Sequence, residues 1–190
     1  LIVKPRSVAY QWSVWTSAVS INDVQGLTLN SAGGLFTNSS YRTIQATSTA
    51  VQIGRQAVES NGDTFVCYAF KAVEGYSHFG AYSANNSSSD NAFAFTGFRP
   101  QFVLIKNIDN SADWIIRDEQ HSGYYTYEGN PIPIGLEANT TDPLSGGSAT
   151  NLDFLSNGFK VRGNDTRIGA EDEYIYMAFA KNPFKFSNGR

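Results

Sequence analysis

Cysteine and methionine are almost missing from this chain, at one each in 190 residues. Cys67 alone can form no intramolecular disulfide, so cross-links play no part in closing the fold and cysteine usage says nothing about compartment. Charge is sparse and scattered, at 16% of residues with a net charge of −3. No basic cluster stands out, which argues against an electrostatic nucleic-acid partner. No apolar run approaches the roughly 20 residues that a membrane-spanning helix needs, so no membrane partner is expected. Amphipathic stripes of helical period are also scarce, which points away from a helical fold. Histidine occurs twice, as His78 and His121, and that leaves little material for a catalytic triad.

Aromatic residues are plentiful instead: 13 Phe, 10 Tyr and 3 Trp. They sit in short apolar runs separated by Gly, Ser, Asn and Thr. The run Phe65-Val66-Cys67-Tyr68-Ala69-Phe70 is apolar on both of its alternating faces, the pattern of a strand buried on both sides. A near copy, Tyr174-Ile175-Tyr176-Met177-Ala178-Phe179, lies 109 positions on. Upstream, Leu1-Ile2-Val3-Lys4 is followed by Trp12, and Val103-Leu104-Ile105-Lys106 is followed by Trp114, now at a step of 102. The order of a strand ending in Lys, a Trp and a doubly apolar strand thus occurs twice. The second copy carries a net insertion of about seven residues between its Trp and its last strand, and much of the new material falls in a tyrosine-rich loop spanning residues 118–133.

About a dozen short strands at spacings near 8–12 residues, with turn signals between them, read as an all-β fold. We expect an antiparallel β-sandwich of jelly-roll or lectin-like type, built from two tandem duplicated units, the first truncated. The expected division is residues 1–80 and 81–190, with the option that both merge into one continuous sandwich. The polar run 85–91, read NNSSSDN, is expected to be an exposed junction between the copies. The second copy has Phe93-Ala94-Phe95 ahead of its Val103 strand and the first has no counterpart before Leu1. The chain is therefore expected to be a fragment or processed product, or to receive a strand from a partner at the open start of its first copy.

The same pairs carry a family resemblance. The run GYSHFGAYSANNSSSDNAFAFTGFRPQFVLIKNIDNSADW, with FLSNGFKVRGN and YIYMAFAKNPF, resembles a repeat unit of bacteriophage tail-fibre and tail-associated virion proteins. It covers most of residues 64–190, and residues 1–63 match more loosely as the rear part of a preceding repeat. The resemblance implies a non-enzymatic structural or host-attachment module in a virion tail or tail fibre. Its implied partners are other virion proteins, copies of itself and a host surface glycan. It assigns no catalytic or binding residues. The loop from Glu119 to Ile134 departs from the family pattern, and loops are where such modules vary their partners.

Enzyme readings are weakly fed. Asp118, His121 and Ser122 are close in sequence, which is not triad geometry. Asp118 and Glu119 are adjacent, so on a strand they would face opposite ways rather than flank one sugar bond. A polysaccharide hydrolase stands third, behind the virion reading and a sugar-binding module outside a virion. The Asn107-Ile108-Asp109-Asn110 run offers oxygen ligands, but it lacks a calcium-loop spacing and reads as turn chemistry. No metal or cofactor is expected. The candidate site for sugar or partner is the long loop, with His121, Tyr124, Tyr125, Tyr127, Glu128 and Asn130, because a tyrosine presents an apolar body with a polar tip. Packing onto the fold or onto a neighbouring subunit is the competing reading for those tyrosines. Trp12 and Trp114 are expected to be core.

Overall fold

The computed structural model describes residues 1–19, 25–37, 45–46, 49–52, 62–122 and 130–183. In chain order the strands are β1 (Ile2–Pro5), β2 (Ser13–Val14), β3 (Gln25–Thr28), β4 (Phe36–Thr37), β5 (Gln45–Ala46), β6 (Val51–Gln52), β7 (Phe65–Tyr68), β8 (Ser77–Ser83), β9 (Phe93–Phe95), β10 (Pro100–Asn107) and β11 (Ile115–Asp118). A single helical turn, α1 (Glu119–Ser122), follows. The remaining strands are β12 (Ile134–Glu137), β13 (Ser145–Gly146), β14 (Leu152–Leu155), β15 (Gly158–Val161) and β16 (Glu173–Ala180). Every strand pairing is antiparallel, and the chain is all-β as its composition required.

Two sheets share one plan. The first runs β4-β3-β2-β1-β7 and the second β13-β12-β11-β10-β16-β8. Their registers coincide position for position. Ile2, Val3 and Lys4 lie opposite Tyr68, Cys67 and Val66, while Leu104, Ile105 and Lys106 lie opposite Met177, Tyr176 and Ile175. Ile2 pairs with Val14 and Leu104 with Ile116. Val14 pairs with Leu27 and Ile116 with Leu136. Gly26 pairs with Phe36 and Gly135 with Ser145. The step is 102 as far as β2 and β11, and 109 from β3 and β12 onward, so the seven extra residues all lie between β11 and β12.

Hydrogen bonds outside the ladders repeat as well. The Trp12 N–H donates to Asn30 Oδ1 and the Trp114 N–H to Asn139 Oδ1, at 2.8 and 2.7 Å. Leu29 N–H reaches Trp12 O, as Ala138 N–H reaches Trp114 O. Arg6 N–H reaches Thr64 O, as Ile108 N–H reaches Glu173 O.

The six-stranded sheet is the middle layer. One face, with Val103, Ile105, Ile115, Tyr174, Tyr176 and Ala178, packs on a three-stranded sheet of order β14-β15-β9 through Ala94, Phe154 and Phe159. Its other face, with Leu104, Trp114, Ile116, Ile175 and Met177, packs on Val14, Leu27, Leu29 and Leu35 of the first sheet and its connections. Successive side chains of a strand point to opposite faces, so β16 supplies both cores and is buried on both faces, as its sequence predicted.

The matching expectation for β7 fails. Phe65 and Val66 are half-buried, and Cys67 and Tyr68 are exposed. Among the described residues β7 is the last strand of its sheet and has one neighbour, β1, where β16 has two. Its apolar side chains are the same kind as those of β16, but among the described residues β7 has no counterpart of β8 beside it. β1 is flanked by β2 and β7, and among the described residues the outer side of β7 has no paired strand.

The polar run 85–91 connects β8 to β9 rather than joining the two sheets of shared plan. Asn91, 3% exposed, ties it down. Its side-chain amide donates to Gly163 O and Gly169 O at 2.9 and 2.7 Å, and its Oδ1 accepts from the N–H groups of Asn85 and Ala92. A run with no apolar residues is held here by hydrogen bonds and by the ion pair of Asp90 with Lys160 at 2.7 Å.

Candidate functional site

The sequence-predicted loop leaves β11 through α1 and returns at Asn130. Tyr124, Tyr125, Tyr127 and Glu128 lie outside the described residues, and for His121 the structure describes only its backbone, in α1. Asn130 is placed. It pairs with the backbone of Phe154 in both directions: Nδ2 donates to Phe154 O at 2.9 Å and Oδ1 accepts the Phe154 N–H at 2.7 Å. This amide is used as an anchor, so it is not free for a sugar hydroxyl.

The other end of the loop converges on the same strand. Arg99 donates to Phe154 O and to Glu119 Oε1, the latter at 3.0 Å. Lys181 reaches Glu119 Oε2 at 2.8 Å. Burial works against the charged form of Glu119, but hydrogen bonds from Lys181 and Arg99 prevail and hold its carboxyl below the usual range. The base of the loop is thus stapled shut, although its sequence shows no sign of order.

Other polar groups of chemical interest also hold the fold. Asn107 Oδ1 accepts from the N–H groups of Asp109 and Asn110, and its Nδ2 donates to Asp172 and Thr166 O. The run read as turn chemistry is a turn. Among the described residues no group of three or more His, Cys, Asp or Glu is placed to hold a metal ion. His78 lies on β8, stacked on Tyr176 at 5.7 Å with its Nδ1 3.0 Å from Tyr176 Oη. Burial lowers the His78 pKa and pushes that of Tyr176 up to about 12.

Sequence reasoning overlooked one charged cluster. Arg117, 1% exposed, is pushed down to about 10 by burial and by Arg167 nearby, against the pull of Glu137 and Asp165. Arg167 holds Asp165 at 2.7 Å and Glu137 at 2.5 Å. The Arg-Asp-Thr-Arg spacing around residues 162–167 gave no hint that a buried arginine from a distant strand would join it.

Two residues of the repeated pattern act between layers. Lys106 Nζ donates to Ala32 O and Ala112 O at 2.8 and 2.7 Å, and burial lowers its pKa to about 8, opposed by Asp113. Trp114 Nε1 donates to Thr28 O at 2.8 Å. Both fasten the β3–β4 region of the first sheet onto the second. Their counterparts are looser. Lys4 sits 5.9 Å over the ring of Trp12, which is only half-buried and stacks on Tyr68. Core placement holds for Trp114 and is corrected for Trp12, which is only half-buried.

What the surface offers is apolar. Beside the open edge of β7 lie Tyr68 (50% exposed), Phe70 (42%), Val73 (37%) and Tyr76 (39%). Phe70 and Tyr76 rest on Phe179 at 6.1 and 5.9 Å, edge to face. Next to them a cavity of about 350 Å³ opens between the two large sheets, lined by Leu1, Ile2, Phe70, Phe79, Leu104 and Met177 among others. This aromatic edge is the candidate functional site. The sequence concealed it because the apolar density of residues 65–70 reads as burial.

Comparison with known proteins gives a family and no more. The chain matches the family described as Domain of unknown function (DUF7483) over residues 1–183 and belongs to it. No curated protein and no solved structure matches the chain.

Proposed function

We propose that this member of the family is a non-enzymatic structural module of a bacteriophage tail or tail fibre, working by assembly and host attachment. The observation that carries this reading is the edge of β7, which among the described residues has no second neighbouring strand and lies beside four exposed apolar side chains. Exposed strand edges template pairing with other chains, and proteins ordinarily blunt them with charge, proline or a covering segment. Here the edge bears Phe65, Cys67 and Tyr68, and among the described residues none of those devices. The motif resemblance supplies the setting. Oligomeric fibres also turn weak single contacts into avidity for a host surface.

The test is the mass of the native assembly, with identification of any chain bound to it. A defined oligomer or co-purification with virion proteins is expected. A monomer at about 100 μM that is absent from purified virions overturns the reading, since edge-mediated assembly in the micromolar range would be saturated there.

A second reading, a sugar-binding module, draws on Phe93 and Phe95. They are 43% and 60% exposed on the same face of β9, where aromatic rings can stack on a sugar. Glycan-array binding that is lost in Phe95→Ala, with assembly unchanged, would favour it.

A further inference from the structure

The second sheet shows what the open edge of the first is shaped to receive. Backbone groups in an antiparallel strand point alternately to its two neighbours. Thr64 O accepts from Arg6 N–H, so Thr64, Val66 and Tyr68 point to β1. Phe65, Cys67 and Ala69 therefore point to the open side. Their counterparts at the step of 109 are Tyr174, Tyr176 and Ala178. In the second sheet those positions face β8, as the next in the series does through Ala180 N–H to Tyr76 O.

β8 pairs along the whole length of β16, with Tyr82 opposite Tyr174, Gly80 opposite Tyr176 and His78 opposite Ala178. Tyr82 stacks on Tyr174 at 5.0 Å with planes 7° apart. A Cβ on Gly80 would lie 2.6 Å from Tyr176 Oη, so a glycine is needed where the tyrosine crosses the partner strand. Among the described residues nothing takes the place of β8 beside β7.

We propose that the edge of β7 is an acceptor for a strand of the β8 type, Ser-x-Phe-Gly-x-Tyr, supplied by a neighbouring unit of this architecture. The strand binds antiparallel, with its glycine opposite Cys67, its phenylalanine opposite Tyr68 and its tyrosine opposite Phe65. Strand addition of this kind draws affinity from main-chain hydrogen bonds and register from alternate side chains. The donor is not the β8 of a second copy, because that strand is already paired with β16. The proposal rests on the assembly reading and names its acceptor and its donor.

Cys67 is exposed and is the only cysteine in the chain, so the register can be read directly. The full chain is mixed, in a glutathione redox buffer, with three synthetic peptides of residues 76–84 carrying Phe79→Cys, Gly80→Cys or Ala81→Cys. A one-residue slip turns a side chain to the opposite face, so disulfide capture is expected to favour the Gly80→Cys peptide by about tenfold. The unmodified peptide, fluorescently labelled, should bind the native chain and protect the Cys67 and Ala69 amides from hydrogen exchange. Cys67→Pro, which removes an edge N–H that β1 does not use, should abolish that binding with little change in melting temperature.

Equal capture of all three peptides, or no binding by the native chain, overturns the proposal whether or not the proline variant folds. So does a homodimer of the native chain that Cys67→Pro dissolves, since the edge would then belong to a second copy. Failure here beside co-assembly with virion proteins leaves the assembly reading standing. In-register capture by a chain absent from virions does the reverse.

Discussion

β7 and β16 hold the same place in their sheets, pair in the same register with β1 and β10, and have closely similar sequences. One is half exposed and the other is buried on both faces. The difference comes from what stands beside and above them. β16 has β10 and β8 as neighbours and a sheet over each face, whereas among the described residues β7 has β1 alone. Lys106 and Trp114 repeat the contrast. Both side chains reach carbonyls of the other sheet, while the Lys4 ammonium donates to Tyr10 O, the counterpart of Ala112 O, and lies over Trp12, which stacks on Tyr68. Equivalent positions with equivalent pairing thus carry unequal energetic weight, and paired substitutions measure by how much.

The largest difference is expected between Tyr176 and Cys67. Tyr176 is 6% exposed, packs edge to face on Phe159 at 5.1 Å and donates to Phe95 O. Tyr176→Ala should cost about 3–5 kcal/mol in chemical denaturation, as for other buried large aromatics. Cys67→Ala at the exposed counterpart should change stability by about 0.5 kcal/mol or less. A large loss at Cys67 would mean that β7 is covered in solution.

The lysine pair comes next. Lys106 binds its proton less tightly folded, near pH 8, than an ordinary lysine does in the unfolded chain. Between about pH 8 and 10.5 the unfolded state therefore holds more protons, and stability rises with pH. Lys106→Met should remove a rise of roughly 1–2 kcal/mol measured from pH 7 to 10, and Lys4→Met should leave it in place. At higher pH the trend reverses. Burial raises the phenol pKa of Tyr82, Tyr174 and Tyr176, so the stability they contribute is complete below about pH 10 and lost as pH climbs toward their folded values. A rise that persists in Lys106→Met would detach it from the layer contact.

The smallest effect separates the two asparagines that cap the tryptophan N–H groups. Asn139 also donates to Asp113 Oδ1 at 2.7 Å, and its bond to Trp114 is partly buried while that of Asn30 is exposed. Asn139→Ala should cost about 1–1.5 kcal/mol and Asn30→Ala about 0.5 kcal/mol, because water replaces the exposed bond more readily. Equal losses at the two sites would show that both units are equally well packed.

Much of the strand pattern was legible in the sequence. The recurrence at steps of 102 and 109 placed the extra residues between Trp114 and the last strand, and the same steps relate the registers of the two sheets. Ser156 and Asn157, small polar residues of the kind that form turns, connect β14 to β15. Of the candidate site, only the ends of the loop could be followed, and there Asn130 and Glu119 proved to be anchors. The aromatic edge was misread, because a strand that awaits a partner has the same composition as one already buried.

Alternation of apolar side chains and the chemistry of turns are properties of neighbouring residues, and they determined that this chain forms short antiparallel strands and where those strands begin and end. Burial is decided by segments far apart in the chain. Whether β8 lies beside a strand, whether Ala32 comes within reach of a lysine, and whether Arg117 meets Asp165 depend on how whole sheets stack. Only the tertiary structure could therefore distinguish the covered strand from the open one.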